Sequence, residues 1–196
     1  MRCENNQAEV SGKILNIESS HVIKTNVFSK LSLEIKRLSE RTDIIQVIVK
    51  NLDKKYTVGQ MVYIFGSYRS RNIDHHKSLY LYADYMDEAF GDCNFNDIVL
   101  HGYICKNNGY RKTPKGREIT DAIMSIKRPN GIRDYIPCVF WGINAGFAHV
   151  TQNGDRVTIH GRIQSREYRK LVDGKYITKV AYEVSVRDFD AALPAR

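Results

Sequence analysis

Residues 154–166 read GDRVTIHGRIQSR, and residues 59–71 read GQMVYIFGSYRSR. The two stretches agree at identical spacing, with Gly59, Val62, Ile64, Gly66, Ser70 and Arg71 matching Gly154, Val157, Ile159, Gly161, Ser165 and Arg166. Agreement in register along a whole stretch indicates an internal repeat. The chain is therefore built from two copies of one structural unit.

The repeat extends beyond this stretch in both directions. VSGKI at 10–14 parallels LHGYI at 100–104, and DIIQVIV at 43–49 parallels DYIPCVF at 134–140. The offset between the copies grows along the chain, as expected when strands are retained and loops change length. The sequence predicts a first domain at 1–88, a linker at 89–96 and a second domain at 97–190.

Each copy shows the period-two alternation of β-strands. Val157 and Ile159 alternate with Thr158 and His160, which places one set inside and the other outside. Strands are predicted at 8–18, 27–38, 43–50, 60–71 and 78–87, and again at 97–106, 118–128, 134–142, 155–168 and 175–188. The only sizeable helical signal is INAGFAHVTQ at 143–152. Five strands with a short helix after the third predict an all-β chain of two tandem OB-folds, five-stranded Greek-key barrels with little helix. Gly66 and Gly161, inside strands, predict a bend or a close backbone approach.

Composition excludes several classes of protein. Hydrophobic residues make up 42% of the chain, but no apolar run approaches the roughly 18 residues of a membrane helix. The first ten residues, MRCENNQAEV, lack the pattern of a signal peptide, so we expect a cytoplasmic protein. The four cysteines form no C-x-x-C pair and are expected to be reduced thiols.

Catalytic and metal-binding motifs are also missing. The chain contains no P-loop, G-x-S-x-G or H-E-x-x-H sequence. Asp74, His75 and His76 are adjacent, but no further spaced ligand accompanies them, so no metal site is predicted. We expect a binding protein that is not an enzyme and needs no cofactor.

Charge is distributed unevenly between the two copies. The formal net charge is +8; residues 1–92 carry 13 Lys/Arg and 12 Asp/Glu, whereas residues 93–196 carry 17 and 10. Positive charge concentrated in one domain indicates an anionic partner. We favour nucleic acid over a membrane surface, because no basic amphipathic helix is visible.

Over residues 97–188 the second copy resembles the bacterial single-stranded DNA-binding protein (SSB) family. The resemblance is carried by VLHGYI (99–104), YRKTPKGREIT (110–120), DYIPCVFWG (134–142), GDRVTIHGRIQSREY (154–168) and DGKYITKVAYEV (173–184). The first copy is similar through VSGKI and VGQMVYIFGSYRSR, but it lacks the TPKG loop and the FWG tryptophan. The chain ends at DFDAALPAR, without the Gly- and Gln-rich tail and acidic tip of replicative members, so tail-dependent recruitment is not expected.

The resemblance implies a single-strand groove on the second copy, where cations meet phosphates and aromatic rings stack on bases. A loop at 106–118 supplies Lys106, Tyr110, Arg111, Lys112, Lys115 and Arg117, although such a loop can also be merely solvated. The third strand and its approach supply Lys127, Arg128, Arg133, Tyr135 and Trp141; a lone tryptophan is otherwise a core residue. The fourth strand and its hairpin supply Arg162, Arg166, Tyr168, Arg169 and Lys170. The first copy offers Lys36, Arg37, Tyr68, Arg69 and Arg71 as an extension, but its near-neutral charge favours a supporting or dimer-forming barrel.

The expected function is binding of single-stranded DNA, largely without sequence specificity, in replication, recombination or repair. The pattern also allows single-stranded RNA as a partner. The family implies a homodimer that presents four OB-folds. The alternative function is a structural or recruitment module, such as a primosomal replication-restart factor.

Overall fold

The computed structural model describes residues 4–73, 76–91, 93–172 and 174–191. In the first copy the strands are β1 (Asn6–Ile23), β2 (Asn26–Lys36), β3 (Thr42–Lys50), β4 (Met61–Ile73) and β5 (His76–Glu88). The second copy contains β6 (Phe95–Lys112), β7 (Glu118–Lys127), β8 (Arg133–Trp141), α1 (Ile143–Val150), β9 (Arg156–Val172) and β10 (Lys175–Ala191).

Each copy closes into a five-stranded barrel. The first has the order β2-β3-β5-β4-β1 and closes through β1 and β2; the second has the order β6-β7-β8-β10-β9 and closes through β6 and β9. The pairs β3–β5 and β8–β10 are parallel, and the other pairs are antiparallel. The predicted all-β fold with two tandem OB-folds is confirmed.

The cores follow from the alternation in the repeated strand. Val62 and Ile64 of β4 are fully buried, as are Val157 and Ile159 of β9. Burial of each such side chain contributes about 1.5–3 kcal/mol relative to exposure. The helix α1 adds Ala145 and Ala148 to the core of the second barrel. The repeated apolar positions are therefore the inward face of the strand.

Glycine recurs in this strand because another backbone lies against it. A Cβ atom at Gly66 would lie 2.0 Å from the carbonyl oxygen of Tyr82, and one at Gly161 would lie 2.5 Å from that of Ser185. Real Cβ atoms do not approach oxygen so closely, so any other residue would force the strands apart. The predicted close approach is confirmed at both positions.

The two barrels are joined by direct strand pairing. β1 runs antiparallel to β6 from Asn6 opposite Leu100 to Ser11 opposite Phe95. The pairing creates one continuous sheet in the order β5-β4-β1-β6-β9-β10. Ala8 lies opposite Ile98, its own equivalent in the repeat. The barrels are thus related by an approximate two-fold axis, as two subunits of a symmetric dimer are.

Equivalent hydrogen bonds within each barrel follow the same two-fold relation. The side chain of Asn6 donates to the carbonyl of Tyr68 at 2.6 Å and accepts from its N–H at 2.8 Å. The equivalent Asn96 donates to the carbonyl of Ile163 at 2.7 Å and accepts from its N–H at 2.9 Å. Each asparagine side chain therefore satisfies the backbone N–H and carbonyl of one residue on a neighbouring strand.

The repeated serine connects one barrel to the other. The N–H of Ser165 donates to buried Asp43 at 2.8 Å, and its hydroxyl accepts from the N–H of Ile44 at 2.8 Å. Ser70 repeats the arrangement with Asp134 and Tyr135, at 2.6 and 2.9 Å. The recurrence of Ser in both copies is explained by this contact between barrels.

Two expectations from the sequence are wrong. Much of the predicted loop at 106–118 is strand, because β6 continues to Lys112. Two register shifts, beside Ile104 and Asn107, interrupt the alternation by which a strand is recognised. Tyr68, suggested as an extension of the binding track, is 1% exposed and cannot reach a ligand.

Candidate nucleic-acid interface

A groove of about 760 Å³ runs along the second barrel at its junction with the first. Its sides come from β6 to β10 and from the tip of the β2–β3 hairpin. Three carboxylates line it, Asp121, Glu167 and Glu183. The lining arginines are Arg37, Arg41, Arg111, Arg117, Arg162 and Arg166. We call this the Trp141 groove after the tryptophan that it contains.

Trp141 is partly buried at the groove surface, at the end of β8. Its indole N–H donates to the hydroxyl of Ser185 on β10 at 3.1 Å. Ile119, its partner on β7, and Val139 form apolar neighbours in the groove lining. The hydrogen bond holds the ring in one orientation, so a ring is already placed where a base could stack.

Most of the arginines in the groove are paired with carboxylates. Arg111 contacts Asp121 at 2.8 Å, and Arg166 contacts Glu183 at 3.5 Å. The guanidinium of Arg162 lies 3.3 Å from Asp43 of the first barrel. Burial lowers the pKa of Arg162, as does the nearby charge of Arg37, but Asp43 raises it, and the guanidinium stays ionised. The groove therefore contains fixed cations held by specific partners.

Two cations of the groove have no such partner. Arg117 and Arg41 are exposed, and no carboxylate of the described residues forms an ion pair with either. Arg117 follows the β6–β7 turn of the second barrel, whereas Arg41 belongs to the β2–β3 hairpin of the first. Uncommitted guanidinium groups are suited to bind phosphate.

The β6–β7 hairpin holds a further part of the predicted set. Tyr110 is 37% exposed, and its ring lies 5.6 Å from that of His149 on α1. The Tyr110 hydroxyl donates to Glu118 and lowers the pKa of that carboxyl, with a smaller effect from Lys112 at 3.6 Å. Lys106 and Lys115 are exposed on β6 and in the turn. These side chains extend the cationic surface beyond the groove.

The β9–β10 hairpin holds another part. Tyr168, Arg169 and Lys170 are exposed on β9 and pair with Lys179, Thr178 and Ile177 of β10. Strand alternation places Tyr168 and Lys170 on the same face as Arg166, and Arg169 on the opposite face. Tyr168 and Lys170 therefore extend the row of side chains that begins with Arg166 in the groove.

The structure does not bring the β7–β8 hairpin into the Trp141 groove. Lys127, Arg133 and Tyr135 are exposed, but they lie where this hairpin meets β4 of the first barrel. Arg128 forms a bidentate pair with buried Asp134 at 2.6 and 2.7 Å, and its side chain is 16% exposed. The hydrogen bonds to Asp134 raise the pKa of Arg128 against the effect of burial.

A second groove, of about 720 Å³, lies mainly on the first barrel and is also lined by Val180 and Tyr182 of β10. Arg69 stacks over the ring of Tyr82 at 3.8 Å, and Arg71 and Tyr80 also line this groove. Along β5, Tyr80 and Tyr82 alternate with leucines. They are only partly buried, whereas Leu79 and Leu81 face the core.

Sequence reasoning missed Arg41 and Thr42 as lining residues of the Trp141 groove. Both belong to the first copy, whose charge is nearly neutral, so no local signal separates them from solvated residues. The one available clue was the repeated serine, since a polar residue kept in both strands points to a contact between copies. That clue does not reveal which hairpin borders which groove.

Two other features are not found in the part of the chain that the structure describes. There, no helix is long and apolar enough to cross a membrane, and no group of three His, Cys, Asp or Glu residues could hold a metal ion. Asp74 and His75 lie outside this part, and the side chain of His76 is not described. Cys93 and Cys105 are exposed free thiols, and Cys138 is a buried one.

Residues 95–191 match the sequence model of the Single-strand binding protein family. Over 94 residues the chain is 33% identical to a single-stranded DNA-binding protein of Oceanobacillus iheyensis, which covers 43% of this chain and 58% of the relative. Over 97 residues it is 33% identical to single-stranded DNA-binding protein 3 of Listeria innocua, covering 45% and 60%. The chain thus spans about three fifths of the length of these curated relatives.

The whole two-barrel arrangement is similar to a solved structure. The single-stranded DNA binding protein from Thermus aquaticus superposes with a TM-score of 0.75 at 15% identity, covering 97% of this chain and 94% of that one. At this identity the likeness concerns the fold. It extends to both barrels, whereas the match to the family model covers the second barrel.

Proposed function

We propose that this chain binds single-stranded DNA, largely without sequence specificity, because residues 95–191, its second barrel, match the sequence model of the single-strand binding protein family. The observation that carries the proposal is the Trp141 groove, where the only tryptophan of the chain lies among six arginines. The function we propose is binding in DNA replication, recombination or repair, with no catalytic step.

The chemistry of the groove fits a flexible single strand. Phosphates need cations spaced along a path, and unstacked bases need flat rings, each stacked base contributing about 1–3 kcal/mol. Arg117 and Arg41 are uncommitted cations at two edges of the groove, and Trp141 is the ring between apolar neighbours. Phosphate contacts and stacking on a ring carry little sequence information, so binding through them should depend little on sequence.

We assign the strand contacts to residues in and beside this groove. Within it the proposed contacts are Arg111, Arg117, Trp141, Arg162 and Arg166. On the adjoining hairpins they are Lys106, Tyr110, Lys112, Lys115, Tyr168 and Lys170. Arg169 would meet a strand on the opposite face of β9. Lys127, Arg133 and Tyr135 form a separate exposed group that a longer strand could reach. Arg128 is instead assigned to the contact between barrels, because its guanidinium is committed to Asp134.

We propose that residues 1–88 and 97–190 act as the two domains, connected through 89–96, and that the chain forms a homodimer with four barrels. The outer face of the joined sheet supports the dimer. Tyr63 on β4 and Phe95 on β6 both pair with Ser11 on β1, and Tyr85 packs against Tyr63 with ring centroids 6.4 Å apart. Tyr85 and Phe95 are 50% and 44% exposed, so an aromatic surface is available to a second copy.

Sedimentation equilibrium tests the dimer. The double variant Tyr85→Glu/Phe95→Glu should sediment as a monomer, because charges would be buried at the contact. Val58→Glu changes an exposed apolar residue outside the sheet and should leave the mass unchanged. A wild-type chain that is monomeric at all accessible concentrations contradicts the proposal.

Binding itself is tested by fluorescence anisotropy with labelled oligo-dT, oligo-U and duplex DNA at about 0.05 and 0.2 M salt. We expect oligo-dT to bind more tightly than duplex, and its affinity to fall with a log–log salt slope of about 0.7 per phosphate contacted. The oligo-U arm decides whether RNA is also a partner. Equal affinity for duplex, or no binding to oligo-dT at the lower salt, would overturn the proposed function.

A further inference from the structure

We infer that the single-strand site is shared between the two barrels, with Arg41 of the first barrel as a phosphate ligand in the Trp141 groove of the second. The inference rests on the proposed function and extends it to a residue outside the family-matched segment at 95–191. It also changes the role of the first barrel, from a support to a wall of the binding site.

The β2–β3 hairpin is fixed against the second barrel at its base. Asp43, which is 1% exposed, accepts from both Arg37 and Arg162 and from the N–H of Ser165. The N–H of Ile44 donates to the Ser165 hydroxyl at 2.8 Å. These bonds join the hairpin to β9 immediately before Arg166, so the hairpin tip keeps a constant position beside the groove.

Arg41 lies at this tip, and its side chain forms no ion pair among the described residues. This side chain is exposed and lines the groove. Arg37 and Arg162, by contrast, share the buried charge of Asp43. A phosphate entering the groove from the side of the first barrel would therefore meet Arg41 as the uncommitted cation.

The equivalent hairpin of the second barrel, β7–β8, has no cation at the corresponding position. The N–H of Arg37 donates to the carbonyl of Arg41 at 2.7 Å, and the N–H of Arg128 donates to that of Ile132 at 2.7 Å. The two hairpins thus make the same closing bond, with Arg41 replaced by Ile132. The cation is not needed to close the hairpin, and it occurs on the hairpin that borders the Trp141 groove.

The test measures the salt dependence of oligo-dT binding by the full chain. Arg41→Gln removes one charge and keeps most of the side chain; Lys54→Gln does the same at an exposed position of the first barrel outside the groove. Loss of one phosphate contact should lower the log–log slope by about 0.7 and the affinity about fivefold at 0.1 M salt. Lys54→Gln should match the wild type, and Arg41→Lys should restore the slope.

A further variant distinguishes failure of the shared site from failure of the proposed function. Arg117→Gln removes the uncommitted cation of the second barrel, and its slope should also fall by about 0.7. If Arg117→Gln loses slope and Arg41→Gln behaves as Lys54→Gln, the shared site is wrong and the proposed function stands. If the wild type does not bind oligo-dT, the proposed function fails first. A slope lost in Arg41→Gln and not restored by Arg41→Lys would also overturn the role as phosphate ligand.

Discussion

Asp43→Ala should destabilise the protein strongly, although the side chain of Asp43 is charged and not part of the hydrophobic core. Its carboxylate accepts two bonds from Arg37, one from Arg162 and one from the N–H of Ser165, and it is 1% exposed. Alanine would leave two guanidinium groups and an N–H facing a void at the junction of the barrels. The loss therefore affects both barrels.

The magnitude follows from the burial of these groups. Removing one partner of a buried ion pair costs about 3–5 kcal/mol, because the other charge stays buried without compensation. The side chains of Arg37 and Arg162 are only 18% and 28% exposed, so neither guanidinium can turn fully to water. We expect the free energy of unfolding to fall by about 3–5 kcal/mol.

Urea unfolding monitored by two probes measures the effect. Trp141 fluorescence reports the second barrel, and far-ultraviolet circular dichroism reports both. In the wild type the two transitions should coincide; in Asp43→Ala both should move to lower urea, and they should separate if the barrels come apart. Asp84→Ala, at an exposed carboxylate, is the matched control and should change stability by less than about 0.5 kcal/mol. A loss below about 1 kcal/mol in Asp43→Ala would refute the reasoning.

Further predictions concern single side chains. Gly66→Ala should destabilise by more than about 1–3 kcal/mol, because its Cβ would lie 2.0 Å from the carbonyl oxygen of Tyr82. Gly146→Ala, in the middle of α1 with open space around it, should instead stabilise by up to about 1 kcal/mol; equal effects of the two in thermal melts would be inconsistent with this account. Tyr68→Phe should stabilise by about 1 kcal/mol, since the buried Tyr68 hydroxyl has no hydrogen-bond partner among the described residues. A lower melting temperature for Tyr68→Phe would show that the hydroxyl is bonded.

Much of the fold could be predicted because buried strand faces have period two. The pattern around Val157 and Ile159 places β9 and, through the repeat, β4, and Gly161 marks the close approach to Ser185. The long β6 was underestimated, because shifts beside Ile104 and Asn107 break the alternation while hydrogen bonding continues. Local bulges hide strand length from a pattern that assumes regular alternation.

The candidate site was only partly predictable. Composition and the lone tryptophan pointed to the residues around Trp141, and several of them line one groove. Arg133 and Tyr135 do not line that groove, because the junction of the barrels places the β7–β8 hairpin against β4. That junction rests on backbone pairing of β1 with β6, and backbone hydrogen bonds carry little sequence signature. The same junction places Arg41 of the first barrel beside the groove.

The most direct measurement of the central claim is a fluorescence titration of Trp141, the only tryptophan of the chain, with oligo-dT. A base stacked on the indole should quench its emission in proportion to the bound fraction, at low salt and with saturation at a defined length of strand. Duplex DNA at the same concentration should quench much less. If saturating oligo-dT at low salt leaves the emission of Trp141 unchanged, the assignment of the Trp141 groove as the single-strand site is contradicted.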